Sequence, residues 1–155
     1  MRVIHWSQKN LNSGLGQTAH HICEAERLLG IDSVVVDCFE EFDWVNAKDA
    51  DLYVIHLFIP LKFTYDNVPK VWVAHGTPEV MWEGGYEESK GQYGHADSWQ
   101  VTQYWLQHAD VVVTFWPRHE AIWKSLSDKN TRVEGVPLGV GTFWQPIESH
   151  GKFAG

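Results

Sequence analysis

The sequence predicts a doubly wound α/β domain built on a mainly parallel sheet of six or seven strands. Three observations lead there. Six short runs rich in β-branched residues punctuate the chain, and most are continuously apolar, as strands covered on both faces are. Stretches with helical apolar spacing lie between them, and strands alternating with helices make parallel crossovers. The chain has 155 residues, 44% hydrophobic and 21% charged, which is about the size of one domain with a globular composition.

The strand runs are RVIHW (2–6), SVVVD (33–37), DLYVIHLF (51–58), KVWVAH (70–75), DVVVTF (110–115) and TRVEG (131–135). Between the first two, Leu15, Ala19, Ile22, Ala25 and Leu29 recur at helical spacing. Ser13 or Asn12 can cap the start of that helix and Gly30 can close its end. A second helix is expected over Ser98–His108 and a third over Pro117–Leu126, where proline suits the first turn. Ligands of such sheets bind beyond the carboxyl ends of the strands. The segments after Trp6, Asp37, Phe58, His75, Phe115 and Gly135 should therefore line the functional face.

Composition excludes several classes. Twelve basic residues against twenty acidic ones give a formal charge of −8, and no Lys/Arg cluster is present, which argues against a nucleic-acid partner. No apolar run approaches the roughly 20 residues that span a bilayer, and the start MRVIHW carries no signal-peptide pattern. These features read as cytoplasmic, with a peripheral place at a membrane left open. Cys23 and Cys38 lack CxxC spacing and read as buried free thiols. Nine Trp, seven Phe and five Tyr are more aromatics than one core needs, and their flat apolar faces with polar edges suit sugar rings as well as protein interfaces.

Two segments carry candidate chemistry. Gly14-Leu15-Gly16-Gln17-Thr18-Ala19 fits G-x-G-x-x-A, and Asp37 falls 21 residues after Gly16, where a ribose-binding acid would sit. The seven residues SQKNLNS separate the first strand from these glycines, which weakens the dinucleotide geometry but leaves a helix N-terminus suited to phosphate. The second segment, after the fourth strand, begins at His75 and Gly76 and runs through a long polar and aromatic loop. A histidine ending a buried strand lies where ligands gather, and Gly76 lets backbone come close. Glu79, Glu83, Glu87 and Glu88 read as a solvated acidic face. His20 and His21 point roughly 100° apart on their helix and cannot chelate together. His56, His75 and His119 share no metal-ligand spacing, so no metal is expected.

The succession of a glycine loop opening a long helix, DLYVIHLF, VWVAHGTPE, ADVVVTFWPRHEAIWKSL and a closing VPLGVGTFWQP resembles the N-terminal, Rossmann-like domain of retaining glycosyltransferases of the GT-B fold, glycosyltransferase family 4. The resemblance covers nearly the whole chain. Its most specific piece is the closing segment: the family carries Pro-Asn-Gly-Val-Asp followed by Phe and Pro, and here Pro137-Leu138-Gly139-Val140-Gly141 precedes Phe143 and Pro146. Leu138 and Gly141 replace the two polar positions. The resemblance implies a domain over 1–146 and a linker or tail over 147–155, with a nucleotide-gripping second domain to follow. It implies transfer of a sugar from a nucleotide-sugar donor to a glycan, lipid or small-molecule acceptor, with no other cofactor and no required metal. Gly14, Leu15 and Gly16 would approach the donor phosphates. His75 would act at the reaction centre, and His56, His75, Gly76 and Trp82 would face the acceptor.

Two other readings stay open. A nicotinamide-dependent oxidoreductase domain rests on the glycine match and Asp37, and a stand-alone flavodoxin-like binding module would use the aromatic loop on a protein partner. If the chain is half of a cleft, it should be inactive alone and self-associate through an exposed face carrying Leu15, Trp82, Phe143 and Trp144.

Overall fold

The computed structural model describes residues 1–37, 49–56, 67–76, 98–128 and 130–137. The chain is an α/β domain with one six-stranded, wholly parallel sheet in the order β2-β1-β3-β4-β5-β6. The strands are β1 (Arg2–Ser7), β2 (Asp32–Asp37), β3 (Leu52–Ile55), β4 (Lys70–Ala74), β5 (Val111–Thr114) and β6 (Arg132–Gly135). The described helices are α1 (Gly14–Leu28), α2 (Ser98–His108) and α3 (Pro117–Leu126). From β1 the chain steps outward to β2, returns to the other side of β1 as β3, and continues away from it. The strand order thus reverses between β1 and β3, with α2 and α3 packed against one face of the sheet and α1 against the other.

Register explains the two faces. Val36, Trp6, Ile55, Trp72, Val112 and Val133 are aligned across all six strands, and all belong to the main core. Helices α2 and α3 close over this row with Trp105 and Trp123, whose rings meet Trp72 edge-on at 5.5 and 5.1 Å. Such edge-to-face pairs add about 0.5–1.5 kcal/mol each beyond the burial of the rings. Four of the nine tryptophans, Trp6, Trp72, Trp105 and Trp123, are therefore core residues. The opposite face carries Val3, His5, Val54 and Val73, with Phe115 packed among the valines and α1 lying over Val35.

Helix α1 departs from its expected face. Gly16, Ala19 and Cys23 are its buried residues, while Ala25 is exposed and Leu29 is 79% exposed. The helix is turned so that its small residues approach β2 closely and Glu26, one turn beyond Cys23, reaches β1 and β2. Ser13 is the N-cap, accepting from the Gly16 N–H at 2.9 Å, and Gly30 follows the end of the helix with φ of 79°, a conformation that suits glycine. Cys23 is a buried free thiol; Cys38 lies outside the described residues. No described helix is long and apolar enough to cross a membrane.

Candidate functional site

A histidine inside an apolar strand must find partners, because an unmet buried polar group costs about 1–3 kcal/mol. His5 is fully buried on β1 and meets that demand at both ring nitrogens. Its Nε2 lies 2.8 Å from Glu26 Oε2, which also accepts from the Ser33 hydroxyl at 2.6 Å. Its Nδ1 lies 3.0 Å from Nε2 of His56. His56, also fully buried, follows β3, and its backbone N–H donates to the Trp6 carbonyl at 2.9 Å, continuing the strand pairing. Its Nδ1 in turn lies 3.1 Å from Nε2 of His75, just past β4. A chain of hydrogen-bonded groups thus runs Ser33, Glu26, His5, His56, His75, from α1 across β1 and β3 to the carboxyl end of β4. Successive ring centroids are 5.3 Å apart at both junctions.

Two aromatics hold the end of this chain. Phe115, after β5, meets the His75 ring edge-on at 5.4 Å. Trp123 on α3 donates its indole N–H to the Gly76 carbonyl at 3.2 Å, which ties the backbone beside His75 to the helix over the opposite face. Burial lowers the His75 pKa from 6.5 to about 4, so the ring is neutral at neutral pH. Burial first, and then the charges of His75 and His5, push His56 well below its ordinary value. For Glu26 burial acts upward, but the hydrogen bonds from His5 and Ser33 and the charge of His5 together outweigh it, leaving a carboxylate held below its ordinary range.

The glycine loop leaves β1 at the same edge of the sheet. Asn10 organises it: its side chain accepts from the Asn12 N–H at 2.9 Å, and its carbonyl accepts from the Ser13 N–H and hydroxyl at 3.1 and 2.9 Å. A Cβ at Gly16 would lie 2.2 Å from the Asn10 carbonyl oxygen and 2.8 Å from that of Gln8, so this glycine is demanded by the folded loop itself. Around Gly14 there is open space instead. Leu15 is half-buried against the main core, and its carbonyl accepts from Ser7 at 3.4 Å. The Asp37 carboxylate accepts from the Lys9 backbone N–H at 3.2 Å, tying the end of β2 to the loop.

The carboxyl edge between β1 and β4 therefore carries His56, His75 and Gly76, and the loop leading to α1 leaves β1 at the same edge. Trp82, Phe143, Trp144 and the four glutamates of the long loop lie outside the described residues. His119 makes its ring contact with Trp116, and among the described residues no group of three or more His, Cys, Asp or Glu could hold a metal ion. A shallow depression between α2 and α3, bordered by Gln103, Leu106, Leu126 and Asp128, is remote from these groups in chemistry, since the Asp128 carboxylate already caps the N–H groups of Asn130 and Thr131. His5 and Glu26 were not among the candidates read from the sequence. The signal was there in a polar residue inside RVIHW and in a glutamate continuing the spacing of Ala19 and Cys23.

Fold and site together define an α/β domain with a histidine chain ending at the carboxyl edge of its sheet. Neither protein-family models nor curated protein sequences give a match to the chain.

Proposed function

We propose that this chain is the acceptor-side domain of a retaining glycosyltransferase of the GT-B kind, handling a hydroxyl-bearing acceptor and a nucleotide-sugar. The observation that carries the reading is His75. It lies at the carboxyl end of β4, neutral, with Nε2 engaged by His56, so that Nδ1 is the nitrogen left for a ligand. A neutral imidazole suits a sugar or acceptor hydroxyl better than a charged one would, because it can accept the hydroxyl proton. Gly14 and Leu15, in the first turn of α1, supply backbone N–H groups and the positive end of a helix dipole toward a diphosphate. The domain acts by positioning and by stabilising the departing diphosphate. The donor nucleotide, on this reading, is gripped mainly by a second α/β domain.

The test is equilibrium binding of the purified chain to a panel of saccharides, nucleoside diphosphate sugars and NADH, for wild type and His75→Ala. Saccharide binding weakened about tenfold by the substitution, the loss of roughly one hydrogen bond, supports the reading. Tight NADH binding with no response to saccharides overturns it in favour of an oxidoreductase domain.

A further inference from the structure

Glu26 fixes where the protons lie along the imidazoles. An ionised carboxylate only accepts hydrogen bonds, so the His5 nitrogen facing it, Nε2, carries a proton. With His5 singly protonated, its Nδ1 is a lone pair, and His56 must donate to it from Nε2. The same logic at the next junction makes His75 donate from Nε2 to His56 Nδ1. All three rings then carry their proton on Nε2, and the chain ends in an Nδ1 lone pair on His75 that has no partner among the described residues.

One added proton reverses both junctions between the imidazoles. Taken up at His75 Nδ1 from a ligand hydroxyl, it releases the Nε2 proton of His75 to His56 Nδ1, and the Nε2 proton of His56 to His5 Nδ1. One ligand O–H bond and two N–H bonds break, three N–H bonds form, and the ligand oxygen is left with the electron pair. His5 becomes doubly protonated, donating to Glu26 on one side and to His56 on the other. The positive charge has then moved from the edge of β4, where the His75 ring meets Phe115 and a neutral imidazole, to an ion pair with a carboxylate oxygen 2.8 Å away. Transfer to that pair offsets the cost of burying a charge, which an imidazolium at His75 would bear alone.

We propose that His75, His56, His5 and Glu26 form a proton relay that takes a proton from a ligand hydroxyl at His75 Nδ1 and lodges its charge on His5 beside Glu26. His75 is the group that touches the ligand; His56, His5 and Glu26 act through it. The relay is independent of the sugar-transfer reading, since any hydroxyl-bearing ligand at this edge would engage it. Among the described residues, the titratable groups facing His5 are Glu26 and His20 from α1 and His56 after β3, with Ser33 of β2 bonded to Glu26. Among the described residues, His75 faces His56 and Phe115. Burial lowers the His20 pKa, a hydrogen bond with the Lys9 backbone opposes this, and the charges of Arg27, His21 and His5 add to the lowering.

The experiment is an acid titration of the whole chain labelled with nitrogen-15 in its histidines, followed by NMR signals that report the protonation of each ring nitrogen. At neutral pH the three rings should be singly protonated on Nε2. On acidification, one transition should make His5 doubly protonated while His56 and His75 move their protons from Nε2 to Nδ1. In Glu26→Gln that transition should move about one pH unit or more lower, because the charge facing His5 is gone. The relay is overturned if His75 carries its proton on Nδ1 at neutral pH, if His75 becomes doubly protonated while His5 stays singly protonated, or if Glu26→Gln leaves the transition in place. Should Glu26→Gln fail to fold, the wild-type titration decides through the first two outcomes.

Discussion

Substituting alanine at Gly16 and at Gly14 should have opposite effects, although the two lie two residues apart in the same helical turn. At Gly16 the new Cβ would lie 2.2 Å from the Asn10 carbonyl oxygen, 2.8 Å from the Gln8 carbonyl oxygen and 2.9 Å from the Ser13 hydroxyl. Carbon and oxygen do not approach within 3.0 Å without something shifting. Two of the three obstructing atoms are backbone, so the loop must withdraw by about 1 Å, and the overpacking should cost about 1–3 kcal/mol. The Ser13 cap would be strained with it, since its hydroxyl is both an obstructing atom and the acceptor for the Gly16 N–H. At Gly14 a Cβ meets nothing within 4 Å, so alanine there should be neutral or stabilise by up to about 1 kcal/mol through reduced freedom of the unfolded chain. Urea unfolding of the two variants beside wild type measures both effects, and in thermal melts each kcal/mol should appear as roughly 2–4 °C. A Gly16→Ala chain as stable as wild type would refute the claim that the loop, and not a bound phosphate, dictates this glycine.

Three further outcomes follow from the same geometry. Ser13→Ala should cost about 1 kcal/mol in unfolding free energy through loss of the helix cap, and Ser13→Asn should restore most of it. Trp123→Phe keeps much of the ring but leaves the buried Gly76 carbonyl without its donor; a loss of about 1–3 kcal/mol is expected, read by the same unfolding assay. Stability should also fall as the pH drops from about 6.5 toward 4. His75 holds a folded-state value of about 4 against 6.5 unfolded, so between these pH values the unfolded chain binds the proton that the folded chain refuses. The contribution is about 3 kcal/mol, present above pH 6.5 and lost progressively below it. His56 acts in the same direction, and Glu26, whose value is also depressed, extends the loss into the carboxylate range. Denaturant midpoints measured across this range check the sign, and a midpoint that rises on acidification contradicts it.

The sheet was legible in the sequence because each strand is a nearly continuous apolar run, and a fully buried parallel strand leaves little freedom for any other reading. The position of His75 at the carboxyl edge of the sheet was legible for a related reason, since it ends such a run. His5 and Glu26 were not, since their partnership joins residues 21 apart and depends on how α1 is rotated. The apolar spacing of Leu15, Ala19, Ile22, Ala25 and Leu29 located the helix but only part of its buried side: Leu15 and Ala19 pack inward, whereas Ala25 and Leu29 are exposed. Packing of Ala19 and Cys23 against Val35 of β2 decided the rotation, a constraint that hydrophobic periodicity does not carry. The glycine pair was legible only as a motif, which does not distinguish a glycine kept for phosphate from one kept, as Gly16 is, for the fit of its own loop.

On the proposed function, the histidine chain presents a hydrogen-bond acceptor to a sugar at the carboxyl edge of β4. The most direct measurement is the histidine nitrogen-15 NMR spectrum of the chain at neutral pH as saccharides are titrated in. The Nδ1 signal of His75 should move most, with smaller shifts at His56 and then His5. Saccharides that leave all three rings unchanged, while NADH binds tightly and perturbs the Gly14 amide, would contradict it.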